Sequence, residues 1–261
     1  MCIRDSINST SMGHVIAIAN HKGGVGKTTS TQNIGVALAR AGKKTLLLDL
    51  DPQGNLSDSF GYDDVEVSIY DVLTGKAEVP VIKLQENLDL VPSNLDLSVA
   101  EVELSGRTGR EYTLKDAIVE LIGAYEYVLI DCPPSLGLLT INALTACNEV
   151  YIPLDSHYFS MKGLDKLMFI INQIKKRLNT EVNISGVFMT RYDTRVVVNK
   201  NIAAMVEESF PETLFKTKIR NNIALVEAPI ENQDIFSYAP KSNGAKDYEA
   251  LTAEIIAAHE G

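Results

Sequence analysis

From His14 onward, short unbroken apolar runs alternate with longer stretches in which apolar residues recur every three or four positions. The run VIAIA at 15–19 predicts a strand covered on both faces. A glycine-rich segment follows, then a helix over 28–41 with Ile34, Ala37, Leu38 and Ala41 on one face and Gly42 at its end. TLLLDL at 45–50 is a second continuous strand, and 87–93 a shorter one. YEYVLIDCPP at 125–134 is a third strong strand, closed by two prolines that cannot donate to a ladder. Residues 149–155 and 183–190 predict two more strands. Between them Leu164, Leu167, Met168, Ile171, Ile174 and Leu178 form a helical stripe that reads as core packing. A last strand is expected over 213–219 and a last helix over 248–259.

Continuous apolar strands separated by helices imply an α/β fold: a doubly wound, mostly parallel sheet with helices on both faces. No repeat and no linker rich in Pro, Gly or Ser divides the chain, so residues 13–261 are expected to be one domain. The polar start, MCIRDSINSTSM, precedes a second methionine and has no apolar middle; residues 1–12 are expected to be a disordered leader or scar. The formal net charge of -10 argues against a protein that coats nucleic acid or anionic membrane over its whole surface, and leaves room for a local basic patch. Three dispersed cysteines, without C-x-x-C, fit reduced thiols better than a disulfide or zinc framework. No run approaches the ~18 apolar residues of a membrane span.

Chemistry concentrates at HKGGVGKTT, residues 21–29. A phosphate loop reads G-x-x-x-x-G-K-[ST]. Gly26, Lys27 and Thr28 supply its end, but His21 stands where the first glycine belongs, and a second lysine, Lys22, precedes Gly23 and Gly24. The strand–loop–helix context turns backbone N–H groups and a helix N-terminus toward an anion. Lys27 then reaches the β- and γ-phosphates and Thr28 ligates Mg²⁺. Asp131 ends one strand, where a Walker B carboxylate holds the metal, and Asp49 and Asp51 end another. Ligands collect at the carboxyl ends of parallel strands, so Lys27, Asp51 and Asp131 are expected on one edge.

KGGVGKTT, LLLDLDPQGN and YVLIDCPPSLG resemble the deviant Walker A, A′ and B motifs of the ParA/MinD superfamily of ATPases. TRYD at 190–193 and EAP at 227–229 fit its ParA branch, and the resemblance spans residue 14 to the end. It implies a P-loop NTPase fold and slow Mg²⁺-dependent hydrolysis of ATP, accelerated by a partner. It also implies a homodimer with two sandwiched ATP molecules, Lys22 reaching the phosphates held by the other subunit. Asp51 matches the residue that polarises the attacking water, and Asp49 takes a supporting role near the metal. The ATP set is Lys22, Gly23, Gly24, Val25, Gly26, Lys27, Thr28 and Thr29, with Thr190 and Arg191 as candidates at adenine.

Membrane-binding relatives end in a basic amphipathic helix. Here the end, DYEALTAEIIAAHEG, has no lysine or arginine after Lys246, so anionic lipid would repel it. Iron–sulfur and tyrosine-kinase relatives need thiolates or terminal tyrosine clusters that the chain lacks. ParA relatives bind DNA without sequence preference, and Arg195, Lys218, Arg220, Lys241 and Lys246 are the candidate contacts. RNNIALVEAP departs from the arginine-bearing PRNVRLSEAP of chromosomal relatives, with Ala224 in place of an arginine. The resemblance is to the small ParA type, cytoplasmic and nucleoid-associated, with a ParB-like centromere-binding activator. A positioning ATPase with a protein cargo stays open beside DNA partition.

Overall fold

The computed structural model describes residues 13–156 and 161–261; the segment expected to be a leader lies outside them. The strands are β1 (His14–Ile18), β2 (Thr45–Asp49), β3 (Ile82–Gln85), β4 (Leu88–Val91), β5 (Tyr127–Asp131), β6 (Glu149–Asp155), β7 (Asn183–Tyr192) and β8 (Leu214–Arg220). They form one sheet in the order β3-β4-β2-β5-β1-β6-β7-β8. All described pairings are parallel except β3 with β4. The first half of the chain supplies α1 (Lys27–Arg40), α2 (Asn55–Asp58), α3 (Ile69–Thr74), α4 (Leu97–Leu104), α5 (Thr113–Ile122) and α6 (Leu138–Ala146). The second half supplies α7 (Met161–Arg177), α8 (Val197–Ser209), α9 (Ala224–Ile230), α10 (Ile235–Tyr238) and α11 (Asn243–Glu260).

Alternate strand residues face opposite layers, which is why the central strands read as unbroken apolar runs. Val15, Ala17, Leu46, Leu48, Val128 and Ile130 pack beneath the layer built from α3 to α8. Ile16, Ile18, Leu47, Leu129 and Phe188 face α1 and α11 on the other side. The doubly wound, mostly parallel architecture is therefore the one that the apolar pattern predicts.

Three boundaries differ. The strand expected over 125–134 is confined to β5 because Cys132 begins the turn into the two prolines. The final helix starts at Asn243, where the Ser242 hydroxyl caps it by accepting from Ala245 N–H. The edge strand β3 goes unpredicted: Lys83 and Gln85 are exposed in alternation with half-buried Ile82 and Leu84, so its four residues offer no apolar run.

On β7, Gly186 lies under an aromatic pair: a Cβ there would come 2.5 Å from Phe215 Cε2 and 2.9 Å from Tyr151 Cδ1. We expect Gly186→Val to lower stability by about 1–3 kcal/mol through overpacking, read as a lower urea midpoint at unchanged slope.

Candidate functional site

β1 lies between β5 and β6, and β5 between β1 and β2, with Ile18 and Asp49 both opposite Asp131. The carboxyl ends of three strands thus converge, and the loop between β1 and α1 curls over them. Gly24 and Gly26 adopt φ of +73° and +87°, a left-handed backbone that glycine reaches without Cβ strain. Gly26 is also the N-cap of the 14-residue α1. Thr190, buried at the end of β7, donates its hydroxyl to Val25 O at 2.9 Å and so pins the loop from the far strand. His21, the departure from the ordinary motif, packs on α7: a Cβ on Gly163 would collide with its imidazole ring.

Lys27 is buried and donates to Lys22 O at 3.1 Å. Desolvation lowers its pKa, against the opposing pull of Asp131, Cys132 and Asp51. Asp131 is fully buried at the end of β5. Its Oδ1 accepts from Thr31 Oγ1 at 3.4 Å, while Oδ2 has no hydrogen-bond partner among the described residues. Burial, then the charge of Asp49, pushes its pKa up to about 8; the Thr28 hydroxyl pulls the other way. A buried carboxylate oxygen left over beside a threonine hydroxyl is the donor set that a hydrated Mg²⁺ takes, so the residues present fit that ion.

Asp49, expected in a supporting role near the metal, stands beside Asp131 on the neighbouring strand and has both carboxylate oxygens engaged by the protein. Its Oδ1 accepts from Asp51 N–H at 3.1 Å, and its Oδ2 from Ser57 N–H at 2.9 Å and Ser57 Oγ at 2.8 Å. Ser57 Oγ in turn accepts from Ser93 N–H, and Ser93 Oγ donates to Asp51 O at 2.8 Å. Both Asp49 oxygens are thus engaged in bracing the turn that carries Asp51; burial holds its pKa at about 7. Ser57 and Ser93 escaped the sequence reading because isolated serines carry no motif signal.

Gly24, Gly26, Lys27, Thr28 and Asp51 border a cavity of about 570 Å³. A second cavity of about 270 Å³ opens on the other side of Gly24, Gly26 and Thr29, toward Thr190, Arg191, Asn222, Leu225 and Tyr248. The first has the donors and the cation that suit phosphates and attacking water; the second is lined by both polar and apolar side chains. Asn222 and Leu225 belong to RNNIALVEAP, which the sequence suggests as a ParA signature and a DNA surface but not as a cavity wall. Lys22 turns away from the larger cavity, with Nζ 3.4 Å from Asp155 Oδ2, the oxygen that Arg191 Nη1 approaches at 3.7 Å.

The candidate DNA contacts divide into two kinds. Arg195 is paired with Asp193 at 2.8 Å, and Arg220 with Asp247 at 2.6 Å. Lys218 stacks its ammonium on Tyr192, 4.9 Å from the ring centroid, and Lys241 and Lys246 are exposed. Among the described residues no helix is long and apolar enough to cross a membrane.

A strand, a left-handed glycine turn, a buried lysine at a helix start and a carboxylate on the adjacent strand define a phosphate-loop nucleotide site. A family model described as an AAA domain matches residues 13–184. The chain is 45% identical over 249 residues to the chromosome-partitioning ATPase Soj of Treponema pallidum, covering 94% of this chain and 98% of that one. It is 41% identical over 249 residues to the chromosome partitioning protein ParA of Caulobacter vibrioides, covering 93% of each. Among solved structures, a cobyrinic acid a,c-diamide synthase from Mycobacterium smegmatis with bound ADP and magnesium superposes with a TM-score of 0.84 at 34% identity, covering 96% of each chain. The septum site-determining protein MinD of Pyrococcus horikoshii, complexed with Mg-ADP, gives 0.78 at 29% identity, covering 94% of this chain and 96% of that one. The chain belongs to the ParA/MinD family of P-loop ATPases. Solved neighbours hold ADP or an ATP analogue together with magnesium.

The raised pKa values of Asp49 and Asp131 set a pH dependence. The native state holds protons that the unfolded chain releases near pH 4, so these groups make stability fall as pH rises from about 4 toward 8. Without ligands, the urea midpoint should decline across that window, and Asp131→Asn should flatten the decline. Equal slopes in wild type and variant would contradict this.

Proposed function

We propose that the chain is a partition ATPase in which ATP joins two copies into a dimer that grips DNA without sequence preference. The observation that carries this reading is the split between the two lysines. Lys27 is buried in the loop beside the carboxylates, whereas Lys22 lies outside the larger cavity at Asp155. A second cation that its own subunit does not direct at the phosphates suits action across an interface. The apolar side chains of Ile223, Val226 and Ile230 support such an interface: they are exposed by 62–75%, and Val226 and Ile230 border the two cavities.

In this scheme the loop amides and Lys27 neutralise phosphate charge, which restores the charged lysine that burial disfavours. Thr28 and Asp131 hold Mg²⁺, which supplies further charge neutralisation when bound. Asp51, whose Oδ1 accepts from Gln53 N–H at 3.0 Å, orients the attacking water with its carboxylate. Lys22 of each subunit brings its ammonium to the negative charge that spreads over the transferring phosphoryl and leaving oxygens, as an arginine finger does. Thr190 and Arg191 border the base pocket together with Asn222 and Leu225. A ParB-like, centromere-binding protein with a basic segment is the activator that complements an acidic surface.

Relatives named as chromosome-partitioning proteins support the cargo assignment. Lys218, Lys241 and Lys246 are the primary DNA contacts in this reading, because Arg195 and Arg220 must first exchange their aspartate partners. The test is binding of random-sequence duplex DNA with no nucleotide, with ADP and with a slowly hydrolysed ATP analogue, over a salt series. Binding confined to the analogue and weakening steeply with salt is expected. Dimerisation without DNA binding in any state would contradict the DNA track. Separately, Lys27→Ala should weaken ATP binding by roughly 100-fold or more in calorimetry, through loss of a buried charge-assisted contact.

A further inference from the structure

At the sheet end away from the phosphate loop, three residues from distant parts of the chain meet. His14 opens β1, Glu149 opens the adjacent β6, and His259 lies in the last turn of α11. We propose that His14, Glu149 and His259 form a binding site for one divalent transition-metal ion of the zinc class, separate from the Mg²⁺-ATP site.

The donor atoms all lie within 4.8 Å of one another. His14 Nδ1 is 2.7 Å from Glu149 Oε1, and His259 Nε2 is 3.0 Å from Glu149 Oε2, so the carboxylate offers one oxygen toward each ring. Zinc bonded at about 2.0–2.1 Å to nitrogen and oxygen needs donors roughly 3.3 Å apart, a spacing within the 4.8 Å spread of these atoms. His259 Nδ1 is 3.1 Å from the Tyr127 hydroxyl. A metal-ligating imidazole commonly donates its other ring N–H to such an outer partner, and this contact leaves Nε2 as the ligating nitrogen. The Tyr151 hydroxyl, 3.3 Å from the same Nε2, closes the inner side.

In the ion-free arrangement the two imidazoles stack face to face, with centroids 3.5 Å apart and 7° between planes. The two ring planes do not meet within bonding distance of both nitrogens, so loading requires His14 to turn. Its side chain is 35% exposed, against 13% for Glu149 and 9% for His259, and it borders an open cavity of about 420 Å³. The cavity gives the ring room to move and leaves a fourth coordination position to water. Lys43 on the same rim is paired with Glu260 at 2.8 Å and Glu126 at 3.4 Å, which offsets its repulsion of a cation. Two imidazoles with one carboxylate favour zinc-like ions, whereas Mg²⁺ demands octahedral oxygen coordination. A bound ion would fasten the first strand, β6 and the C-terminal helix together.

The untagged full chain, with excess Mg²⁺ and ADP filling the phosphate site, should be titrated with Co²⁺ by visible absorption and with Zn²⁺ by calorimetry. One ion per chain, with the intense visible bands of low-coordinate Co²⁺ and a higher melting temperature, is expected. His14→Ala and Glu149→Gln should remove that binding, and Tyr127→Phe should weaken it by about 10-fold. ADP binding by His14→Ala should match wild type, which shows that the variant is folded. Absence of binding to wild type, or one-ion binding unchanged in both ligand variants, would overturn the proposal.

Discussion

A buried lysine and two buried carboxylates at the ends of neighbouring parallel strands constrain everything else in this molecule. Lys27, Asp49 and Asp131 have almost no contact with water, and charge in such a place is expensive unless partners surround it. The fold meets that cost in separate ways. Asp49 takes three donors from the turn after β2, and Lys27 takes the Lys22 carbonyl. Asp131 has no hydrogen-bond partner for one oxygen among the described residues and leans toward its protonated form. An anionic nucleotide with its cation completes what the protein leaves incomplete. Ligand binding here is therefore also relief of a buried electrostatic imbalance.

That imbalance gives the parallel sheet its functional sense. Antiparallel strands would scatter these groups over both ends, whereas β1, β2 and β5 bring them to one edge. The distant strands contribute as braces. Thr190 on β7 holds Val25, and Asp155 at the end of β6 holds Lys22 beside Arg191. The loop is thus fixed by backbone φ at two glycines and by a threonine far away in sequence, while the second lysine is held outside the larger cavity.

How much of this was legible in the sequence follows from where the signal resides. Local signals carried far: the glycine spacing, Lys27 and Asp51 singled out residues that the structure gathers around one cavity, and continuous apolar runs identified the central strands. The serine braces were not legible, because Ser57 and Ser93 matter through contacts 36 residues apart that leave no periodic trace. Which of the two strand-end carboxylates turns inward was not legible either. Spacing puts Asp49 and Asp51 at one strand end but does not say which carboxylate faces inward to Ser57 and which faces the cavity. Thr190 and Arg191 were singled out beside the second cavity, but Asn222 and Leu225 were not, because they reach it only once β8 and α9 fold against the loop. Strand β3, short and amphipathic at an edge, lacks the buried faces that make a strand visible.

The central claim is that nucleotide state, sensed at Lys22, governs self-association. Sedimentation velocity of Asp51→Ala, with ATP and with ADP, tests it most directly, because slow turnover then cannot blur the two states. A dimer with ATP, a monomer with ADP, and a monomer in both when Lys22→Ala is added are the predicted results. A species that stays monomeric under saturating ATP, or a dimer indifferent to Lys22, would contradict the account.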